Sequence, residues 1–240
     1  MEPSVEVIFQ NIQRIKARIE QAAAAVNRDP ESVRLVVVTK TKPADIVENA
    51  IQAGAQYLGE SYAEEAVEKI NLLRQHRVEW HMIGHIQSRK ARLVAQHFDL
   101  VHSLDSLKLA YKLDQAAGEA GKILPVLIEV NIGGEESKQG WQAGDDSTWP
   151  ALAADLAQIL QLKNLNVKGM MTMPPLCDHL DESRRLFRKM VLLQYYLRGT
   201  LPQSDWQELS MGTSGDFEAA IMEGATYIRI GEAIVGPRQY

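Results

Sequence analysis

Short apolar runs alternate with longer amphipathic ones from residue 34 almost to the end of the chain, and no other feature limits the possible folds as much. Strands are expected at 34–40, 56–60, 79–84, 98–104, 124–131, 168–173, 208–210 and 227–230. Helical periodicity fills the intervals near 44–53, 62–75, 87–96, 106–120, 149–161, 180–198 and 214–223. Where a helix returns the chain between strands, successive strands run parallel. Eight such units in series, with no Pro- or Ser-rich linker between them, predict a closed (β/α)8 TIM barrel of the α/β class. The length of 240 residues fits one such barrel or two smaller domains. The strand count selects a single domain spanning 1–240.

A leading helix over 1–28 precedes the alternation. Val5, Ile8, Ile12, Ile15, Ile19, Ala22 and Val26 recur at spacings of three and four, so they form one stripe. Such a stripe suits a dimer seam, but docking on its own domain is the commoner use, and a monomer is expected. Asn27-Arg28-Asp29-Pro30 ends the helix. An internal echo, Ala50 to Leu58 against Ala220 to Ile228, repeats one helix-to-strand joint. In each copy a Gly caps the helix shortly before the strand starts.

Charge and composition narrow the setting. The chain has 26 Lys+Arg against 31 Asp+Glu, a formal charge of −5, which argues against nucleic acid and anionic membranes as partners. One cysteine makes no internal disulfide and suits a reducing compartment. The first residues carry acid where a signal peptide carries base, and no run approaches the ~20 apolar residues of a membrane span. A cytoplasmic protein is expected.

In a barrel of this kind, working groups sit at the C-terminal ends of the strands, and the last two loops often hold phosphate. Val36, Val38 and Lys40 share one strand face, which puts Lys40 at the end of a strongly apolar strand. A partly desolvated lysine there loses its proton readily, as Schiff-base chemistry requires; a snorkelling strand-end lysine is the plain alternative. Lys42, before Pro43, reads as a solvated loop residue. The segment Ser210-Met211-Gly212-Thr213-Ser214-Gly215-Asp216 enters a helix and offers glycines, hydroxyls and backbone N–H groups, a combination that favours an anion. Gly231 sits similarly after the last strand. Arg229 shares a face with Tyr227 and Gly231, and barrel closure brings it near Lys40. Its plain alternative is an ion pair with Glu232, Glu60 or Glu129. An aromatic phosphate cofactor spanning these groups would use all three, and pyridoxal 5′-phosphate has that shape.

The runs Val-Val-Thr-Lys40-Thr-Lys-Pro, Leu58-Gly-Glu-Ser-Tyr62, Trp80-His-Met-Ile-Gly84 with Ile86-Gln87, Val130-Asn131 through Glu136-Ser-Lys-Gln-Gly140, Gly169-Met-Met-Thr-Met173, Leu209-Ser-Met-Gly212 and Ile228-Arg-Ile-Gly231 also carry a resemblance. Together they resemble the YggS/PROSC family of pyridoxal-phosphate-binding homeostasis proteins, which are similar to the fold type III N-terminal barrel of alanine racemase. The resemblance runs from about residue 5 to the end. It implies that Lys40 is the Schiff-base lysine, that Ser210, Gly212, Ser214 and Gly231 surround the phosphate, and that Arg229 faces the pyridine nitrogen. Two positions depart from the family pattern. Ser61 stands where Asn is usual, with a shorter reach toward the cofactor's ring hydroxyl, and Arg89, also at an Asn position, falls on the rim.

An arginine at the pyridine nitrogen disfavours its protonation: at ~4 Å and an effective dielectric of ~20, like charges repel by about 4 kcal/mol, roughly three pKa units. Carbanion stabilisation is weakened accordingly. A racemase needs acid/base groups on both faces of the cofactor adduct, and in the alanine racemases that resemble this barrel one comes from an additional C-terminal domain. With the chain ending at Tyr240, one face is expected to be open to solvent. Three functions follow: a non-enzymatic pyridoxal-phosphate carrier or buffer in vitamin B6 and amino-acid homeostasis, serving pyridoxal-phosphate-dependent apoenzymes or a regulatory protein; a racemase-like enzyme using Lys40 as base; and a cofactor-free Schiff-base aldolase for a sugar phosphate. The first is favoured. His81 and His85 read as barrel-packing or rim residues rather than metal ligands, and Cys177 as an incidental loop thiol. Arg184, Arg185, Arg188 and Lys189 read as a solvated helix face, and Trp141 and Trp149, if exposed, as a partner patch.

Overall fold

The computed structural model describes residues 3–135, 138–175, 177 and 179–237. Eight parallel strands close into a barrel: β1 (Arg34–Val38), β2 (Tyr57–Glu60), β3 (Glu79–Met82), β4 (Leu100–Leu104), β5 (Leu124–Asn131), β7 (Leu165–Met171), β8 (Glu208–Ser210) and β9 (Tyr227–Ile230). Closure comes from β1 pairing with β9, Val36 opposite Arg229, while β4 pairs with β5. A two-residue strand, β6 (Trp141–Gln142), adds to the C-terminal end of β5 outside the ring. The helices α2 (Ala44–Gln52), α3 (Ala63–Leu72), α4 (Ala91–His97), α5 (Leu107–Glu119), α6 (Trp149–Ile159), α7 (Leu180–Thr200) and α8 (Phe217–Met222) form the returns, and α9 (Glu232–Val235) follows β9.

The apolar stripe of the leading helix does what its spacing implies. Helix α1 (Val5–Ala24) starts at Ser4, whose hydroxyl accepts from the Val7 N–H, and buries Ile8, Ile12, Ile15, Ile19 and Ala22. That face packs on α8, α2 and α9 of its own barrel. The echoed joints also match: Gly54 and Gly224 end their helices at φ +98° and +101°, a region that side chains rarely enter.

Three local expectations need correction. Strand β1 stops at Val38 instead of Lys40, because Thr41 takes φ +62° and turns the chain back. The strand expected at 168–173 runs from Leu165 to Met171, a shift that its alternating apolar residues permit. The tryptophans offer no exposed patch. Trp149 is buried against Tyr196 and donates to the Ala143 carbonyl, and half-buried Trp141 donates to Asp155.

The sheet separates two unlike layers. Between strands and helices lies a continuous apolar layer that includes Phe98, Leu113, Leu156, Phe187, Trp206 and Phe217. Inside the barrel the apolar cluster contains only Val36, Leu100, Leu127, Met171 and Tyr227, with Tyr57 against it. The remaining inward positions are filled by buried polar groups, among them His81, His102, Ser210 and Arg229.

Candidate functional site

A cavity of about 660 Å³ opens at the C-terminal ends of the strands. Of the residues predicted from sequence, Lys40, Ser214, Arg229 and Gly231 line it. Ser61, His85, Glu129, Asn131 and Lys138 line it as well. Ser210 and Gly212 lie below the wall. The Ser210 hydroxyl is fully buried between His102 and Arg229. Gly212, at φ +94°, gives its carbonyl to the Arg229 N–H. A Cβ there would fall 2.6 Å from that of Ala220 and 2.9 Å from the Phe217 backbone, so only glycine lets this turn lie against α8.

The turn carrying Lys40 is clamped from behind. Lys69, on α3, is buried and donates to the Thr39 carbonyl (3.0 Å), to Glu60 Oε1 (2.9 Å) and to Glu65 Oε1 (2.5 Å). Thr39 Oγ1 donates to Glu60 at 2.7 Å, and the Thr41 N–H donates to Glu65 at 2.8 Å. Both residues flanking Lys40 are thus fixed by one ion cluster. Burial raises the Glu60 carboxyl above its ordinary range, against the pull of Lys69 and Thr39. Lys42 is not in water as expected. It is buried, and its Nζ donates at 2.5 Å to the carbonyl of Pro237, which ties the turn to the segment after α9.

Arg229 forms part of the cavity floor. Its guanidinium donates to Ser210 Oγ (2.5 Å) and to the Thr172 carbonyl (3.0 Å), so its described partners are neutral oxygens rather than the carboxylates considered from sequence. Burial lowers its pKa to about 10, with Asp216 and Glu129 acting in the opposite sense, and the group stays charged at neutral pH. Glu129 lies on the same cavity. Burial above all, then the charge of Asp105, pushes its carboxyl up to about 7 against Arg229 and His85. His85, at the rim, pairs with Asp105 at 2.8 Å.

The two turns expected to hold an anion border the cavity through Thr213, Ser214 and Gly215 on one side and Gly231, Glu232 and Ala233 on the other. Asp216 shapes the first turn by accepting from the Thr213 N–H (2.6 Å) and hydroxyl (3.0 Å). Ser61 reaches the cavity wall, whereas Arg89 is outside it and donates to Gln87. Lys138 anchors to the Met173 carbonyl and to Glu135; the adjoining Glu136 and Ser137 of the resemblance lie outside the described residues.

His102, Lys69 and the roles of Glu60 and Glu129 did not emerge from the sequence. The two-residue period puts His102 on the face of Leu100 and Leu104, where its pattern is that of an ordinary buried strand residue. Lys69 reads as one more charge on a polar helix, and its i−4 spacing from Glu65 is its one local signal. Arg184 and Arg188 do form a helix-face ion pair set with Glu223, and Cys177 Sγ lies 3.6 Å from the Pro175 carbonyl.

Comparisons with known proteins agree with this geometry. A family profile described as alanine racemase, N-terminal domain, matches residues 10–239. A pyridoxal phosphate homeostasis protein of Vibrio alginolyticus is 41% identical over 238 residues, covering 97% of this chain and 98% of that protein. One of the same name from Escherichia coli strain K12 is 38% identical over 236 residues, covering 97% of each. The structure of PipY from Synechococcus elongatus PCC7942 with PLP bound superposes with a TM-score of 0.79 at 35% identity, over 91% of this chain and all of that one. With a cavity placed at the strand ends and relatives this similar over nearly its whole length, the chain belongs to the alanine racemase N-terminal domain family and, within it, to the pyridoxal phosphate homeostasis proteins.

Proposed function

We propose that residues 1–240 act as one unit that binds pyridoxal 5′-phosphate in the cavity above the barrel, with Lys40 joined to its aldehyde as a Schiff base. In this reading Ser214 and Gly231 border the phosphate together with the backbone of their turns. Ser210 and Gly212 support that end from beneath, and Arg229 meets the ring nitrogen. The protein serves as a non-enzymatic carrier or buffer in vitamin B6 and amino-acid homeostasis, as a cytoplasmic monomer that exchanges cofactor with apoenzymes or informs a regulatory protein. Among the described residues, no helix is long and apolar enough to cross a membrane.

The observation that carries this reading is the joint presence of Lys40 and a charged Arg229 on one cavity. Pyridoxal phosphate supplies an electrophilic aldehyde and a ring that acts as an electron sink when its nitrogen is protonated. A buried cation at that nitrogen opposes the proton, so this chain favours holding the group over carbanion chemistry. The clamp on Thr39 and Thr41 holds the backbone on both sides of Lys40. The cofactor-free aldolase leaves the similarity to PLP-bound PipY without a counterpart.

Absorption spectroscopy of protein mixed with pyridoxal phosphate, followed by borohydride reduction and peptide mapping, tests the assignment. Label at Lys40, lost in Lys40→Ala, is expected; label at another lysine overturns it. A second reading, a racemase-like activity, is favoured by one observation: Glu129, with a pKa of about 7, and the His85–Asp105 pair both face the cavity. Racemisation of an amino-acid panel well above a Lys40→Ala control, and lost in Glu129→Gln, would establish it over the carrier.

A further inference from the structure

A single file of polar groups crosses the barrel interior from the cavity floor to the opposite mouth. Arg229 Nη1 lies 2.5 Å from Ser210 Oγ, and Ser210 Oγ lies 2.8 Å from His102 Nδ1. His102 Nε2 is 3.0 Å from His81 Nδ1, and His81 Nε2 is 3.4 Å from Glu79 Oε2. Ser210, His102 and His81 are completely buried, while Glu79 is exposed at the N-terminal mouth. The rings of Tyr57 and Tyr227 pack on His81, and that of Tyr227 also on His102, so no rotation of either imidazole is free.

For neutral rings, the carboxylate end of the file sets the direction of each bond in it. Arginine is only a donor, so Ser210 accepts from it and keeps its own proton and a second lone pair for His102 Nδ1. A carboxylate is only an acceptor, so a neutral His81 carries its proton on Nε2 and accepts at Nδ1, which requires a neutral His102 to carry its proton on Nε2 and Ser210 to give its proton to His102 Nδ1. With both rings neutral, the carboxylate end alone sets the arrangement: two Nε2–H imidazoles. Burial above all holds His102 well below the usual histidine range, in keeping with a neutral ring.

We propose that His102 and His81 are positioning residues for Arg229, aligning its guanidinium through Ser210 so that its remaining N–H groups point into the cavity toward the cofactor ring. This rests on the reading that the cavity takes pyridoxal phosphate. The file reaches Arg229 from the side opposite the cavity, so it contributes without touching the ligand.

The ligand-free protein supplies a first test. Long-range ¹H–¹⁵N correlation of the imidazoles is expected to show Nε2–H neutral tautomers for both histidines at neutral pH; an Nδ1–H tautomer or a charged ring at either position overturns the file. The second test is a spectral titration with pyridoxal phosphate alongside thermal melts. His102→Phe, and His81→Phe as the variant that keeps ring packing, are expected to bind about tenfold more weakly, the scale of one lost buried hydrogen bond. The bound chromophore should also show a displaced absorption maximum. His102→Gln, which offers a carbonyl and an N–H in place of the two ring nitrogens, is expected to recover most of both. Folded variants with unchanged affinity and maximum would sink the proposal. Failure of the unaltered protein to take up pyridoxal phosphate would instead sink the carrier reading, and the tautomer measurement would still judge the file.

Discussion

The two faces of the barrel sheet differ as two proteins might. The outer face is packed with branched and aromatic side chains against the helices. The inner face is a short apolar plug bordered by histidines, a serine and an arginine. Outside, affinity for neighbours is non-directional and scales with buried area. Inside, His81, His102, Ser210 and Arg229 have partners that fix their orientation, as a binding site needs and a plain core does not. The two sides of the same strands thus differ in character, and the Thr39–Glu60–Lys69 cluster behind Lys40 is a polar exception on the helix side.

Two substitutions of comparable cost break this comparison if it is wrong. Phe187→Ala, in the outer layer, should destabilise by about 3–5 kcal/mol while leaving the pyridoxal phosphate affinity of folded molecules unchanged. Lys69→Met should also cost about 3–5 kcal/mol, because it leaves Glu60 buried without its cation. Here affinity should fall too, since Thr39 and Thr41 lose their clamp. Denaturant melts give the first quantity and spectral titration the second. Equal losses of affinity in both variants would show that the clamp behind Lys40 acts no differently from the rest of the helix-side layer.

Glu129 sharpens the comparison through pH. Its folded pKa of about 7 lies above the ordinary 4.5, so the native state holds a proton that the unfolded chain releases earlier. Its contribution is therefore complete below about 4.5 and is lost as pH rises through 7. Glu129→Gln should be more stable than the parent by about 2–3 kcal/mol at pH 8 and nearly equal to it at pH 4, read as the difference between two melting-versus-pH curves. The smallest effect belongs to the outer surface: Arg188→Ala, which removes an exposed partner of Glu223, should cost less than ~1 kcal/mol.

The legibility of the sequence follows the same division. The α1 stripe, the helix-ending glycines and the eight apolar strands could be read because periodicity records which side faces the apolar layer. The position of Arg229 beside β1 followed from closure alone, and Val36 does pair with Arg229. The mistaken placement of Lys42 in water shows the limit. Its burial depends on the Pro237 carbonyl arriving from the far end of the chain, a contact that local pattern does not encode. Lys69 was passed over for the same reason, since its partners Thr39 and Glu60 come from two other elements.

By itself the sequence determined the order of strands and helices, the parallel pairing, and the two last turns that border the cavity, because each of these follows from the pattern along the chain. Only the tertiary structure decided which side chain holds which: the clamp behind Lys40, the neutral partners of Arg229 and the histidine file beneath it. Several of those meetings join residues 21 to 108 positions apart. Hydrogen bonds depend on distance and direction at the scale of tenths of an ångström, and closing the barrel is what sets them.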